Sequence, residues 1–326
     1  MPDIGAPGSL SLRIPRWLKY TVGTLVITIA FYFLFSRLIR DWRQIPLSQL
    51  RFSPLLLCLS FVILVGTHLP LAGSAWGLIL AALGDRIPLG RSIAVMSVTQ
   101  LGKYIPGKLW FTLGRMSLLK QDGVSEAKTM VSVVIEIVLA LLAALVLLGI
   151  SVLMVPRAVV PVPVYALFLL VPACVVAVYP PILNRLLRLV LSRLKRPVFE
   201  LRLSYWRLLL ITGMYFADWT LQGVGSYVLL NSFYPLPVSK LPVMLGGYAI
   251  SWMIGFLILI APAGLGVREG IFTLILRMVM PEPVAIISTL LTRIWMSVSE
   301  AAVALVCLPL LRRGRKNAKE TETNAG

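Results

Sequence analysis

Long apolar runs alternate with short polar segments along the chain. A helix needs roughly 20 predominantly apolar residues to cross the hydrocarbon core of a bilayer. Several runs reach or approach that length, and we interpret six of them as full spans: 20–35, 54–83, 127–155, 165–179, 208–230 and 284–311. The pattern therefore predicts an all-α polytopic membrane protein with about six full spans.

Two further apolar regions are interrupted by helix-breaking and charged residues. Residues 100–118 read QLGKYIPGKLWFTLGRMSL, with Pro106 and Gly107 in the middle of the stretch, where they break a helix. Residues 261–270 read APAGLGVREG and interrupt the second region. Such backbone is tolerated at membrane depth only where protein or a wet cavity covers it. We predict two broken, re-entrant helix pairs, formed by 93–101 with 109–119 and by 245–260 with 267–280.

The order of these elements is the same in both halves of the chain. The halves, about 17–155 and 162–311, each contain a span, a second span, a broken pair and a last span. Because the first half starts inside the cell and the second outside, they would form an inverted repeat with a binding site at their interface. Residues 1–16 are predicted to be a cytoplasmic lead-in, and 312–326 a basic, disordered cytoplasmic tail.

Composition supports a membrane protein and indicates that the positive charge contacts lipid rather than nucleic acid. The 326 residues are 58% hydrophobic and only 13% charged, with a net charge of +18, whereas a soluble domain averages about a quarter charged residues. Most Lys and Arg lie at span ends and in short loops, which is typical of contact with anionic lipid head groups. We therefore expect no binding to nucleic acid.

The distribution of Lys and Arg also predicts the orientation. Most of them fall in interior segments if both termini are cytoplasmic, as the positive-inside rule requires for a multi-pass protein of the cell membrane. The first exterior loop opposes this orientation, because it carries Arg37, Arg40, Arg43 and Arg51.

Residues 184–207 differ from the spans. Apolar residues recur there at helical spacing between Arg and Lys residues. This pattern predicts an amphipathic helix that lies on an anionic lipid surface.

Polar residues share helical faces on three of the predicted spans. The faces contain Thr129, Ser132 and Glu136; Tyr215, Asp218 and Gln222; and Thr289, Arg293, Ser297 and Glu300. Such side chains do not face lipid. They either pair with one another and hold the bundle together, or line a site for an anionic ligand. We favour the second interpretation, because the cations of the broken pairs outnumber the nearby acids.

The candidate lipid head-group site consists of Lys103, Tyr104, Lys108, Arg115, Glu136, Asp218, Gly264, Gly266, Arg268, Glu269, Arg293 and Glu300. At its centre we expect Arg115 and Arg268 to meet and to bind a lipid phosphate, since arginine can donate two parallel hydrogen bonds to it.

Supporting groups are expected around the two arginines. A helix start near Val267 would add backbone N–H groups, and Glu136 and Asp218 would face the same cavity, orient the arginines and select a head group that carries a cation. The alternative is that both arginines are locked in structural salt bridges.

Chemistry other than binding has little support in the sequence. His68 is the only histidine, and we interpret it as a helix–helix hydrogen-bonding group rather than a ligand. The three cysteines lie in apolar runs without a CxxC partner, so we expect no metal, no cofactor and no catalytic residue.

The two interrupted stretches resemble a known family. GKYIPGKLW with Gly114-Arg115, and PAGLGVREG with Arg268-Glu269-Gly270, are similar to the lysylphosphatidylglycerol synthase transmembrane family, the flippase-like membrane region of the multiple peptide resistance factor. The resemblance covers about 17–311. It implies an all-helical membrane fold, a link to lipid translocation, and family positions at Lys103, Tyr104, Pro106, Gly107, Arg115, Pro262, Gly264, Gly266, Arg268 and Glu269.

The resemblance has one limit. The resistance factor carries a soluble aminoacyl-transferase domain after its membrane region, and the 326 residues contain none, so we do not expect synthesis of lysyl-lipid. Two function classes remain. The first is a flippase-like protein that binds and translocates an anionic or head-group-modified phospholipid or a lipid-linked intermediate. The second is a membrane-embedded enzyme, or an accessory subunit, of glycolipid or lipid-linked sugar synthesis. A lipid-modifying enzyme or a glycosyltransferase is the candidate partner.

Overall fold

The computed structural model describes residues 50–104, 110–155, 172, 176, 179–193, 204–258 and 264–323. All regular structure within these residues is helical, which confirms the predicted all-α class. The predicted span 20–35 and nearly all of 165–179 lie outside the described residues, as do Pro106, Gly107, Lys108 and Pro262.

Nine α-helices make up the described part of the chain. They are α1 (Pro54–Ala82), α2 (Leu89–Gln100), α3 (Trp110–Lys120), α4 (Glu126–Leu153), α5 (Pro180–Arg193), α6 (Tyr205–Asn231), α7 (Leu241–Leu257), α8 (Val267–Leu276) and α9 (Glu282–Thr323). Short 3-10 helices follow α2 (Leu101–Tyr104) and precede α7 (Val238–Lys240).

Serine residues begin three of the long helices. The side chains of Ser53, Ser125 and Ser204 each accept a hydrogen bond from a backbone N–H in the first turn of α1, α4 and α6. An N-cap of this kind satisfies one of the amides that has no partner within the helix. The local sequence therefore determines where these helices begin.

Four helical segments are long and apolar enough to cross a membrane: Pro54–Ala82, Glu126–Leu153, Val238–Leu257 and Glu282–Leu311. The first, second and fourth confirm predicted spans. The third, Val238–Leu257, was predicted to be one limb of a broken pair. It is long enough to count as a candidate span because the 3-10 helix Val238–Lys240 adds three residues before α7. The predicted span 208–230 corresponds to α6, whose 27 residues would extend about 40 Å but which is not among those four.

The first broken pair has the predicted short limbs. Helices α2 and α3 contain 12 and 11 residues, so each extends less than 20 Å and covers only part of the hydrocarbon core. The limbs approach closely at Gly102, where a Cβ atom would lie 2.9 Å from the backbone nitrogen of Phe111.

The helix contacts are symmetric between the two halves. The equivalent helices are α1 and α6, α2 and α7, α3 and α8, and α4 and α9. Each contact in one half has a counterpart in the other: α1–α2 corresponds to α6–α7, and α3–α4 to α8–α9. The contact α2–α9 between the halves likewise corresponds to α7–α4. The other contacts between these helices follow the same rule. The described helices are therefore arranged as two structurally related halves.

The equivalent helices α1 and α6 run in opposite directions. Helix α1 is antiparallel to α6: Ser53 N donates to Ser232 O at 2.8 Å, and the Ser60 hydroxyl donates to Gly225 O at 2.9 Å. Further along, His68 meets Asp218. An inverted repeat requires this relation between its second spans.

The basic helix differs from its predicted bounds. Helix α5 begins at Pro180, four residues before the predicted start, and is described to Arg193. Residues 194–203 lie outside the described part, and Arg207 belongs to the first turn of α6. Arg185, Arg188 and Arg193 are exposed, as expected for a helix that contacts lipid head groups.

The last helix is longer than predicted. Helix α9 continues to Thr323, through most of the segment 312–326 that the sequence suggested would be disordered. Residues 312–323 read RRGRKNAKETET, and Arg, Lys, Ala and Glu are strong helix formers that need no apolar packing.

Candidate functional site

Arg115 of α3 is fully buried and forms an ion pair with Glu136 of α4. Its Nη1 contacts Glu136 Oε2, its Nη2 donates to Glu136 Oε1 at 3.4 Å, and its Nε donates to the Thr99 hydroxyl at 3.4 Å. The guanidinium lies over the rings of Trp76 and Phe111, 4.7 and 5.6 Å from their centroids. Arg115 is 0% exposed, so this arrangement corresponds to the structural salt bridge considered above.

A second group of charged residues surrounds Glu300 of α9. The Tyr104 hydroxyl donates to Glu300 Oε2 at 2.9 Å, and Lys103 Nζ contacts Glu300 Oε1. Tyr104 also lies 2.9 Å from the Ser297 hydroxyl. These contacts attach the 3-10 turn of the first broken pair to the last helix of the second half.

His68 connects Glu300 to a polar chain on α6 and α7. Its Nδ1 lies 3.0 and 3.1 Å from the two carboxylate oxygens of Asp218, and its Nε2 lies 3.8 Å from Glu300 Oε1. The Gln222 amide donates to Asp218 at 3.0 Å, and the Tyr248 hydroxyl donates to Gln222 at 3.1 Å. His68 makes the predicted helix–helix contact, but its position between two carboxylates was missed.

One signal for this position was present in the sequence. A histidine in an apolar span is an ionisable group at membrane depth, where such groups are rare and usually paired. The identity of the partners could not be read from it, because Asp218 is 150 residues away.

Arg268 is the second residue of α8 and lies beside this polar chain. Its guanidinium is 4.8 Å from the ring centroid of Tyr248, and its side chain is half-buried. Within the described part of the chain, no carboxylate lies within 4 Å of it, in contrast to Arg115. Arginine has five N–H donors, so a guanidinium that contacts an aromatic side chain can still donate to a further acceptor.

Glu269 and Arg293 form the ion pair of the second broken pair. Arg293 Nε lies 3.4 Å from Glu269 Oε1, and the Arg293 guanidinium lies over the Tyr104 ring at 5.5 Å. Helix α8 begins at Val267 as predicted. However, Glu269 Oε2 accepts a hydrogen bond from Gly266 N at 2.6 Å, so the carboxylate occupies part of the helix N-terminus that was expected to bind phosphate.

Gly264 and Gly266 shape the backbone of the second break. Their φ angles are +70° and +84°, in the left-handed region that favours glycine. A Cβ atom on Gly264 would lie 2.9 Å from Gly255 O of α7. These glycines therefore allow α7 and α8 to approach, and no side chain from them reaches a ligand.

The described contacts separate the candidate residues into two clusters. The clamp consists of Arg115 and Glu136. The central cluster consists of His68, Lys103, Tyr104, Asp218, Arg268, Glu269, Arg293 and Glu300. No contact between Arg115 and Arg268 occurs within the described residues, so their expected meeting is not seen there. Asp218 contacts His68 and Gln222 rather than an arginine, and Lys108 lies outside the described residues.

Charge in the two clusters is balanced apart from His68. Among the described residues, the cations Lys103, Arg115, Arg268 and Arg293 face the acids Glu136, Asp218, Glu269 and Glu300. The predicted excess of positive charge therefore depends on His68 and on Lys108. No group of three or more His, Cys, Asp or Glu side chains in the described ranges is arranged to bind a metal ion.

A cavity of about 620 Å³ lies apart from both clusters, at the end of α1 and the start of α6. Arg86 and Arg207 line it together with the apolar side chains of Leu78 and Ile211. Its lining residue Leu78 is ten residues beyond His68 on α1, which places the two residues about 15 Å apart along the helix axis.

Comparison with known proteins identifies a family. No match to a curated protein was found. The sequence profile described as the lysylphosphatidylglycerol synthase TM region matches residues 20–304. This range includes both broken pairs, the clamp and the central cluster. Since it covers most of the 326 residues, the chain belongs to the lysylphosphatidylglycerol synthase transmembrane-region family.

Proposed function

We propose that the central cluster binds the phosphate of a lipid head group through Arg268, and that the protein translocates this lipid across the cell membrane. The observation that carries the proposal is the contrast in pairing: Arg268 lies over Tyr248 without a carboxylate within 4 Å among the described residues, whereas Arg115 is enclosed by Glu136. An arginine placed in this way offers paired donors to a phosphate.

The surroundings of Arg268 favour an anionic ligand. Lys103 and Arg293 are close enough for their positive charges to interact with each other, and Arg268 also interacts with Lys103. Lys103 and Arg293 are paired with Glu300 and Glu269, so Arg268 is the cation of these three that has no carboxylate within 4 Å among the described residues and that can attract a phosphate. The substrate class is accordingly an anionic or head-group-modified phospholipid or a lipid-linked intermediate.

The cluster is built by both halves of the protein. His68, Lys103 and Tyr104 come from the first half, and Asp218, Arg268 and Glu300 from the second. In transporters made of inverted repeats, the substrate binds at the repeat interface, and movement of one half against the other opens it to either side. This arrangement supports transport better than a role at one membrane surface.

The competing proposal is a membrane-embedded enzyme or an accessory of glycolipid synthesis. Such an enzyme needs a carboxylate that can act as base or nucleophile. Asp218 and Glu300 are both engaged by His68, Gln222, Lys103 or Tyr104. These contacts favour a binding role, with a lipid-modifying enzyme or a glycosyltransferase as the partner that supplies or uses the lipid.

The test is Arg268→Gln in purified full-length protein reconstituted into liposomes. We expect folded protein with at least about ten-fold slower transfer of fluorescent phosphatidylglycerol between leaflets, because a charge-assisted contact of 1.5–3 kcal/mol is lost. Arg277→Gln is the matched control, since Arg277 lies at the other end of α8 and pairs with Glu282 at 3.1 Å. Equal transfer rates for the two variants would contradict the proposal.

The orientation belongs to the same proposal, with both termini cytoplasmic. Phe52 at the start of α1 is 73% exposed, and Arg86 beyond its end is exposed. In a background without native cysteines, Phe52→Cys should react with an impermeant thiol reagent from outside the cell and Arg86→Cys from the cytoplasm. The reverse pattern would invert the topology.

A further inference from the structure

His68 is placed to bind a proton between two helices that it does not belong to. Its Nδ1 faces Asp218 of α6 at 3.0 Å, and its Nε2 faces Glu300 of α9 at 3.8 Å. Histidine is the side chain whose charge ordinarily changes near physiological pH, and chains of His, Asp and Glu at membrane depth are typical of proton pathways.

We infer that His68, Asp218 and Glu300 form a proton-binding site, and that a proton bound there favours binding of the anionic head group at Arg268, so that lipid translocation is coupled to protons. This inference rests on the proposed function. Its ligand is the proton, and its role is to couple lipid movement to the proton gradient across the membrane.

The groups that surround His68 are known for each helix packed against α1. From α6 and α9 they are Asp218, Gln222, Glu300 and Arg293, and the 3-10 turn contributes Lys103 and Tyr104. Helix α2 offers Arg91, which is bonded to Asp122, and α4 offers Glu136, which is bonded to Arg115. Within the described residues, Arg91 and Glu136 are therefore engaged outside the group that His68 forms with Asp218 and Glu300.

Charge accounting connects the proton to the lipid. With His68 neutral and the carboxylates ionised, the three cations Lys103, Arg268 and Arg293 balance the three acids Asp218, Glu269 and Glu300. One proton added to His68 makes the cluster positive by one charge. That charge attracts a phosphate, and by linkage the phosphate increases proton binding by the same factor.

The geometry also connects the proton to movement of the helices. A neutral imidazole has one N–H, whereas a protonated imidazole has two. Protonated His68 can donate to Asp218 and Glu300 together and hold α6 and α9 against α1. Loss of the proton leaves one of the two contacts without a donor, and the 3.8 Å contact with Glu300 is the longer of the two. Release of α9 on deprotonation would separate elements of the two halves.

The experiment measures binding of dioctanoyl phosphatidylglycerol to the purified full chain by titration calorimetry at pH 5.5 and pH 8, in buffers of different ionisation enthalpy. Wild-type protein should bind about ten-fold more tightly at the lower pH and take up protons on binding. His68→Gln keeps an amide donor toward Asp218 but cannot titrate. It should bind the lipid with the same affinity at both pH values and without proton uptake.

The outcomes separate this inference from the proposed function. Binding that is equally pH-dependent in wild type and His68→Gln, or binding that requires Na⁺ in place of protons, would overturn the coupling alone. Absence of lipid binding at every pH would contradict the proposed function and the coupling with it.

A second measurement applies if His68→Gln does not fold. Because His68 is the only histidine in the chain, ¹⁵N-histidine NMR of wild-type protein reports this residue alone. Lipid added at constant pH should increase its protonated fraction, and an unchanged signal in lipid-bound protein would overturn the inference.

Discussion

The two broken helix pairs have equivalent positions in the fold but use their arginines differently. In the first pair, the Arg115 guanidinium contacts both carboxylate oxygens of Glu136 on the long helix α4. In the second pair, the long helix α9 presents Arg293 instead of an acid, and the acid, Glu269, belongs to the short helix. The short helix therefore carries the cation in the first pair and the acid in the second.

Under the proposed function, this reversal accounts for a lipid phosphate binding to Arg268 of the second pair and not to Arg115 of the first. Glu269 pairs with Arg293 and caps its own helix, and it does not come within 4 Å of the Arg268 guanidinium as Glu136 does for Arg115. The adjacent arginine remains over Tyr248. The comparison shows that the placement of one carboxylate differs between the two halves: Arg115 is paired with Glu136, whereas Glu269 is paired with Arg293.

The largest effect is expected from breaking the clamp. Arg115→Gln leaves Glu136 as an uncompensated charge in the bundle, and breaking a buried pair in this way costs about 3–5 kcal/mol. We expect little folded protein, measured by size-exclusion chromatography and thermal unfolding in detergent. Glu136→Gln added to Arg115→Gln removes the unpaired charge and should recover much of the loss.

The opposite result would change the comparison. If Arg115→Gln unfolded at the wild-type temperature and lost only lipid transport, Arg115 would belong to the head-group site together with Arg268, as the sequence hypothesis holds.

A smaller effect is expected from the glycines at which the limbs meet. Gly264→Ala combines a positive φ with a Cβ atom 2.9 Å from Gly255 O, and we expect a loss of about 2 kcal/mol in stability. Gly102→Ala introduces the same 2.9 Å contact, with Phe111 N, but no positive φ appears at Gly102. It should therefore cost less, as read from the two melting temperatures.

Gly270→Ala serves as the control for these substitutions. It lies within α8, where a Cβ atom would meet nothing within 4 Å, so it should leave stability unchanged or raise it slightly. If all three variants had the same melting temperature, the close approach of the limbs would not explain why glycine occupies positions 102 and 264.

The smallest effect is expected outside the two broken pairs, on α5. Arg188→Gln with Arg193→Gln should reduce enrichment of anionic lipid around the protein by at most about 1 kcal/mol per charge, measured as phosphatidylglycerol that copurifies in nanodiscs. Folding should be retained because both side chains are exposed. Loss of folded protein would show that α5 packs into the bundle.

Much of the fold followed from local sequence. Apolar runs predicted α1, α4 and the membrane part of α9, and Pro, Gly and charged residues within apolar sequence predicted the breaks. The extension of α9 to Thr323 was missed, because polar composition was taken to indicate disorder although the residues favour helix. The bounds of α5 shifted for a similar reason, since amphipathic spacing identifies a helix better than its ends.

The chain by itself determined its all-helical class, the serine caps at which α1, α4 and α6 begin, and which polar residues share a helical face. Helical periodicity places Asp218 and Gln222 on one face because residues four apart are neighbours on a helix. Only the tertiary structure decided which charges meet. His68 and Asp218 are 150 residues apart, and Lys103 and Glu300 are 197 apart. Their pairing depends on how antiparallel helices from two halves pack, and a periodicity within one helix contains no information about its neighbour.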